Sequence, residues 1–355
     1  MDDTPRMLAD SAERLFSSPR SAKEAEEAAA AGWSEPAWHA VEEAGFTLGM
    51  VSEDRGGFGL ASADALQTVR IAARHAVATP LAETMLANWL ADAAGLAPAT
   101  GIATIAFSRA DAPISLRRAG DGWHLSGVSP KVPYGRVARS ILVAAAGPDG
   151  DMVCWARAGD WQTVRSANMA GEPRDELRFD AALAPDDVRP RRAACNDFMA
   201  AGAAIRTVQM AGALERVLDM TVGYAQDRVQ FGRPIGKFQA VQQNVALLAA
   251  TAAAAGAAAD IAADALAAEL DVGAIAAAKS RAGEAAGVGA AIAHQVHGAI
   301  GFTYEHALHL LTRKLWSWRD EFGNEAYWNR VLGRQLLAGG ADAFWPAVVA
   351  LGAVR

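Results

Sequence analysis

Cysteine is nearly absent: Cys154 and Cys195 are the only two in 355 residues, far apart. No disulfide framework is expected from them, and a reducing cytoplasm fits. Positive charge is also in deficit. Lys and Arg total 33 against 40 Asp and Glu, a formal net charge of −7, so a general nucleic-acid surface is not expected. The start, Met1-Asp2-Asp3-Thr4-Pro5, is acidic and polar, without a signal-peptide hydrophobic region. The seven histidines fall in no spacing with Cys, Asp or Glu that suits a metal. Gly56-Gly57-Phe58-Gly59 lacks the Lys-Ser/Thr of a phosphate loop. An Ala-rich run over residues 239–270 meets Asp260, Asp264, Glu269 and Asp271, and is not expected to span a membrane. What the chain does have is apolar residues, 52%, inflated by alanine. That supports a sizeable core, and the length allows two or three modules.

Taken in order, the pattern changes twice. From about residue 7 to 96, apolar residues recur at helical spacing. Ser34 and Pro36 start one helix, with Trp38, Val41 and Phe46 inward. Ser62 is expected to cap the next, where Leu66, Val69, Ala73 and Val77 form one face. Pro80 is expected just inside another, with Leu81, Met85, Leu86 and Leu90 facing in. Near Gly101 the period becomes two. Ile102, Thr104, Ala106 and Ser108 lie on one alternation, and Ala103, Ile105 and Phe107 on the other. Strand-like runs follow at 123–128, 140–144 and 152–155, which predict a small barrel or sandwich over about 101–188. From about Asn196 helical spacing returns, in four or five long helices suited to a bundle. Leu308, Leu311, Leu315 and Trp318 give the last clear apolar face. The expected class is α+β with three domains: helical over 1–100, β over 101–190, and a helical bundle over 191–355.

Two loops between these helices carry chemistry. The first is Arg228-Val229-Gln230-Phe231-Gly232-Arg233-Pro234-Ile235-Gly236-Lys237-Phe238-Gln239. Its Phe-Gly and Arg-Pro pairs break a helix locally. Two arginines and an aromatic at such a break read in two ways. One is a solvated turn, which the residues alone favour. The other is a cradle for an anionic cofactor, because the arginine fork makes two parallel charge-assisted hydrogen bonds to a pyrophosphate. The second loop is Gln295-Val296-His297-Gly298-Ala299-Ile300-Gly301-Phe302, whose glycines let a backbone approach a ligand closely.

Together the two loops resemble the flavin-binding signatures of the acyl-CoA dehydrogenase family. Its Arg-x-x-Phe-Gly reads as Arg228 to Gly232, and its Phe-Gln pair as Phe238-Gln239. Its Gln-x-x-Gly-Gly-x-Gly reads as Gln295 to Gly301, with Ala299 for the second glycine. Residues 46–60 with Thr79-Pro80-Leu81-Ala82-Glu83-Thr84 are similar to the family's first helical domain. Gly122-Trp123-His124-Leu125-Ser126-Gly127 is similar to a hairpin of its middle β-domain. The resemblance implies the acyl-CoA dehydrogenase fold, FAD as cofactor, and α,β-dehydrogenation of an acyl-CoA thioester. It implies an electron-transfer flavoprotein or similar acceptor. It also implies roles. Arg228 would bind the flavin pyrophosphate, Phe231 the adenine or ribose end, and Gln239 the cofactor by a hydrogen bond. Gln295, Val296, His297, Gly298 and Gly301 would approach the same cofactor from a neighbouring subunit.

The chain departs from the family in three places. The acid-proline-glycine segment expected near Phe107-Ser108-Arg109-Ala110 is missing, and Pro133-Tyr134-Gly135 stands where an aromatic and a hydroxyl usually flank the isoalloxazine. The usual base, a Glu followed by Gly, falls on Phe322-Gly323, and the alternative position of some relatives falls near Gly202-Ala203. Neither holds a carboxylate, so no catalytic residue is assigned. Asp320 and Glu321 read as a solvated acidic pair beside Arg319, since a one-residue shift on a helix turns a side chain by about 100°. Glu305 and His306 read as rim or structural residues. Tyr304-Glu305-His306-Ala307-Leu308-His309-Leu310, with Phe322-Gly323 after it, is similar to one branch of the family. That branch contains the smaller, base-less subunits of heteromeric steroid side-chain dehydrogenases. The expectation is a subunit that pairs with a homologous larger one. The alternatives are a self-sufficient homotetramer using Glu321 or another displaced acid, an oxidase or monooxygenase on the same fold, and a subunit kept for assembly.

Overall fold

The computed structural model describes residues 4–18, 27–28, 30–108, 112–191, 197–267, 269–303, 305–340, 342–343, 345–346 and 349. Met1, Asp2, Asp3, Arg109, Ala110, Cys195, Asn196 and Tyr304, used above, lie outside the described residues.

Helices come first: α1 (Thr4–Ser17), α2 (Glu35–Glu43), α3 (Ser62–Arg74) and α4 (Leu81–Ala94). Ser34 caps α2, its side chain accepting from the Ala37 amide, one of the donors that a first turn leaves open. Trp38, Val41 and Phe46 are buried as expected. Two caps differ from expectation. The Ala65 amide bonds the Ala61 carbonyl, which makes Ser62 the first residue of α3 and not its cap. The Thr84 amide bonds the Pro80 carbonyl, which makes Pro80 the cap of α4 and not its first residue.

Eight strands follow: β1 (Ala103–Phe107), β2 (Ser115–Ala119), β3 (Gly122–Pro133), β4 (Ser140–Gly147), β5 (Gly150–Arg157), β6 (Trp161–Val164), β7 (Arg174–Leu183) and β8 (Val188–Pro190). They form one mixed sheet in the order β6-β7-β3-β2-β4-β5-β8, with β1 parallel to β4. β1 and β4 are buried on both faces for most of their length, so they read as unbroken apolar runs. β7 alternates instead, with Leu177, Phe179 and Leu183 buried and Arg178 and Asp180 exposed. Thr84 Oγ1 donates to the Ala103 carbonyl at 2.9 Å and so ties α4 to β1.

Further helices follow: α5 (Phe198–Asp227), α6 (Gln239–Asp264), α7 (Val272–His297), α8 (Leu308–Asp320) and α9 (Glu325–Ala338). A short hairpin of β9 (Val229–Gln230) and β10 (Arg233–Pro234) lies between α5 and α6. The chain divides into two compact units. The first holds Met1–Ala65, Val77–Ala201 and Ala267–Leu270; the second holds Leu66–Ala76, Gly202–Leu266 and Asp271–Arg355. The core of the second is built from α5 to α8, with Leu214, Val217, Leu248, Leu311, Leu315 and Trp318 among alanines. Leu308, Leu311, Leu315 and Trp318 all face that core.

The acids at the end of α6 do not exclude a membrane span in the way the sequence suggested. Residues 241–259 carry no charge, and α6 is long and apolar enough to cross a membrane. Its Leu248, Ala252 and Ala255 pack instead in the core of the second unit.

Candidate functional site

The Arg228 loop is a tight hairpin. Gln230 pairs with Arg233, which leaves Phe231-Gly232 as a two-residue turn with positive φ at both, 53° and 78°. This is the twist that a two-residue hairpin favours. Glycine takes that conformation freely; phenylalanine takes it at a cost of about 1–2 kcal/mol. The turn holds Phe231 out, 92% exposed. Phe238 receives Phe231 edge-on at 6.1 Å between centroids and the Arg233 guanidinium over its face at 4.3 Å. Arg233 is thus engaged. The exposed Arg228 guanidinium has no hydrogen-bond or ion-pair partner among the described residues. Gln239, exposed, opens α6.

The Gln295 loop closes α7. Gln295 and Gly298 are exposed; Val296 and His297 are buried, so their side chains belong to the core. Gly298 has φ 66° and ψ −146°, a conformation for glycine, and nothing lies within 4 Å of where its Cβ would stand. Gly301 is different. A Cβ there would lie 3.1 Å from His297 Cβ and 3.2 Å from His294 Nδ1, so its missing side chain makes room for those rings. His297 stacks on Tyr224 at 4.5 Å. Tyr224 is one helical turn before Arg228, whose amide donates to the Tyr224 carbonyl at 2.9 Å. The stack therefore joins the two loops within one chain.

It is part of a histidine cluster that the sequence analysis missed. His306 meets His297 edge-on at 4.7 Å, and His294 stacks on Phe302 at 4.1 Å and Trp316 at 5.7 Å. His309 Nδ1 donates to the His306 carbonyl at 2.8 Å. His297 Nδ1 donates to the Ala293 carbonyl at 2.7 Å, which leaves its buried Nε2 as an acceptor without a partner. Burial pushes the pKa values of His294, His297 and His306 below the usual imidazole range, and neighbouring histidines push the same way. Among the described residues no group of His, Cys, Asp and Glu is placed to hold a metal ion. Glu305 is exposed, and a hydrogen bond from Thr303 lowers its pKa.

The two base positions meet. A Cβ on Gly202 would stand 2.3 Å from Cδ1 of Phe322, so the phenyl ring fills the space a side chain at 202 would need. Arg206, one turn further along α5, lies over the same ring at 5.4 Å. Its Nε donates to Glu321 Oε2 at 2.8 Å, with Arg206 1% and Glu321 16% exposed at the side chain. The solvated acidic pair expected at 320–321 is thus corrected. Only Asp320 is exposed; Glu321 is held by a buried cation, and Arg319 bonds Glu325 at 2.7 Å. The corner is unusual in its backbone, with Phe322 at φ 52° and Gly323 at φ 86°. Trp328 Nε1 donates to the Phe322 carbonyl at 2.8 Å, and buried Lys279 Nζ donates to the Arg319 and Gly323 carbonyls, both at 2.7 Å. Burial lowers the Lys279 pKa to about 8, against the pull of Glu325 and Glu321.

The β-domain wall around Pro133-Tyr134-Gly135 is closed by its own residues. Tyr134 is buried, with its amide on the Pro173 carbonyl and the Arg174 guanidinium 5.5 Å from its ring centre. Arg174 pairs with buried Glu172 at 2.9 Å, and Arg136 with fully buried Asp175 at 2.6 Å. A Cβ on Gly135 would stand 2.9 Å from Leu177 Cδ2, so a hydroxyl-bearing residue there would have to displace Leu177. A pyrophosphate suits the free Arg228 and the open Gly298. At this wall the residue that carries both an aromatic ring and a hydroxyl, Tyr134, is buried.

The chain is similar to known proteins in sequence and in fold. Residues 193–337 match the family described as acyl-CoA dehydrogenase, C-terminal domain. The fold is similar to that in the crystal structure of the ChsE4-ChsE5 complex from Mycobacterium tuberculosis, with TM-score 0.83 and 23% identity over 95% of this chain and 98% of that one. It is also similar to butyryl-CoA dehydrogenase from Megasphaera elsdenii, with TM-score 0.82 and 19% identity over 95% and 99% of the two chains. In sequence the chain is 32% identical over 286 residues to acyl-CoA dehydrogenase IpdE2 of Mycobacterium tuberculosis, which spans 80% of this chain and 81% of that protein. Identity at that level across most of both sequences reaches beyond fold, and the chain belongs to the acyl-CoA dehydrogenase family, oxidoreductases acting on acyl-CoA thioesters.

Proposed function

We propose that this chain is the smaller, base-less subunit of a heteromeric, FAD-dependent acyl-CoA dehydrogenase acting on a bulky acyl-CoA such as a steroid side-chain thioester. One observation carries the reading: the Phe322 ring lies against Gly202, so both places for a base hold hydrocarbon. The reaction needs a carboxylate within reach of the substrate α-carbon, and geometry comes before pKa. A homologous partner supplies that carboxylate. FAD would supply the acceptor for the β-hydride. Arg228 would hold its pyrophosphate, Phe231 and Gln239 would lie along it, and the Gln295–Gly298 backbone would approach it from a neighbouring subunit. The remodelled wall at Pro133-Tyr134-Gly135 supports a flavin ring seated by the partner. Exposed Val229, Phe231, Leu247, Val288, Ile300 and Phe302 in the second unit supply apolar surface of the kind an assembly covers. An electron-transfer flavoprotein or similar protein takes the electrons, and the cytoplasm is the compartment.

The test is to purify the chain alone and together with a homologous longer subunit. Each is assayed with acyl-CoAs of several sizes and an artificial acceptor, with mass and flavin content measured. The expected result is turnover only from the pair. Turnover by the chain alone, as a flavin-bearing homotetramer, would overturn the reading.

A further inference from the structure

We infer that His297 is a positioning residue: through Tyr224 it sets the Arg228 hairpin, and protons taken up by the histidine cluster release it, so that this chain's hold on its anionic cofactor weakens on acidification. The cofactor half of this rests on the functional reading above, which gives the pyrophosphate to Arg228. The hairpin is keyed to the last turn of α5. The Arg228 amide donates to the Tyr224 carbonyl at 2.9 Å, and the Ile235 amide to the Arg228 carbonyl at 2.8 Å. Gly236 lies so close that a Cβ there would stand 3.0 Å from the Ala225 carbonyl oxygen. The direction of that turn therefore becomes the direction of the hairpin. Within the turn, Tyr224 reaches the cluster: His297 stacks on its ring at 4.5 Å, and His306 meets it edge-on at 6.2 Å.

The stack suits a neutral imidazole. His297 Nδ1 donates to the Ala293 carbonyl, so a proton gained by the ring goes to Nε2, which is buried and faces no acceptor. A buried charge without a partner is disfavoured. Attraction of a charged ring to the Tyr224 face does not supply the missing acceptor. The groups around His297 oppose the charge as well. Tyr224 comes from α5, His294 from α7 itself and His306 from the segment before α8, with His309 on α8 bonded to the His306 carbonyl. The charges that act on His297 are those of His306 and His294, and His309 acts on those two. None of these is a carboxylate; Glu305, beside His306 in the chain, is exposed. His294 repeats the pattern, with Nε2 on Thr312 Oγ1 and a buried Nδ1 that has no partner. The rings titrate as one cluster. A ring that gains a proton is hydrated by turning out toward water, and for His297 that means leaving Tyr224.

Hydrogen exchange of the full chain tests this without a cofactor. It is followed by mass spectrometry between about pH 7.5 and 5.5, which brackets the imidazole range, and corrected for the intrinsic pH dependence of exchange. Residues 224–236 of wild type are expected to lose protection by about tenfold for each pKa unit by which a released ring exceeds a stacked one, while amides around Leu214 hold theirs. His297→Phe keeps a ring on Tyr224 that cannot titrate, and its hairpin should stay protected at both ends of the range. Tyr224→Leu removes the face that His297 stacks on. It should leave the hairpin weakly protected at every pH, and it covers the case in which the phenylalanine variant fails to fold. In the assembled pair, flavin should dissociate faster at the acid end from wild type and not from His297→Phe. Wild-type protection that does not change with pH, or that changes equally in either variant, would overturn the inference. A pair that carries no flavin would overturn the functional reading alone, since the exchange measurement does not depend on it.

Discussion

Replacing Glu321 by Gln leaves an acceptor for the Arg206 Nε–H and removes the charge that balances a guanidinium only 1% exposed. Turnover of the assembled enzyme should stay close to wild type, far from the 10²–10⁴-fold or so that a general base contributes. The denaturant midpoint should fall, within the ceiling of about 3–5 kcal/mol for breaking a buried pair outright. Arg228→Ala makes the opposite prediction. Its guanidinium holds nothing among the described residues, so stability should be unchanged. Flavin retention of the pair after gel filtration should weaken by the worth of one charged hydrogen bond, about 1.5–3 kcal/mol. The histidines set a pH dependence. Their folded pKa values lie below the usual 6.5, so the unfolded chain takes protons first as pH falls. Their contribution is full above about pH 6.5 and is lost on acidification below it, at about 1.4 kcal/mol per pKa unit. Chemical denaturation between about pH 7 and 5.5 should show this slope, and His297→Phe, which keeps a ring on Tyr224, should flatten it.

At the scale of elements, α5 and the corner after α8 are coupled through one glycine. Gly202→Ala should destabilise by about 1–3 kcal/mol through overpacking against the Phe322 ring. Phe322→Ala should relieve it, so that the double variant costs less than the two changes summed, with a coupling of about 0.5–3 kcal/mol. Urea unfolding of the four proteins measures it; strict additivity would mean that the ring moves aside. The sequence shows one side of this and not the other. The faces of α2 and α8 are legible because their burial follows a local period. β7 is hidden because its run Arg174-Asp175-Glu176-Leu177-Arg178 is charged and Asp175 is buried by Arg136 from another segment. The Phe231-Gly232 turn reads as a break because its first residue is not one that usually marks this hairpin. Arg206 and Glu321 are 115 residues apart, and no local pattern joins them. Lys279 was detectable: it shares a helical face with Ile275, Ala282 and Ala286, all buried.

At the scale of the molecule, assembly should appear in stability as well as activity. A partner that binds only the folded chain raises its stability by mass action. The melting temperature of this chain should therefore rise with added partner and with total concentration, as followed by calorimetry. A concentration-independent value in the pair would argue that the two chains do not share a folded interface. The hairpin tip has a consequence of another kind. Phe231, 92% exposed, is held outward by the backbone of its turn and cannot fold back to hide. Chaperones and proteases triage chains that show apolar surface, and they act during the interval before assembly. Copies synthesised beyond the supply of partner would be cleared. The scarcer of the two chains would then set the amount of enzyme in the cell, and two residues would keep synthesis of the two in step.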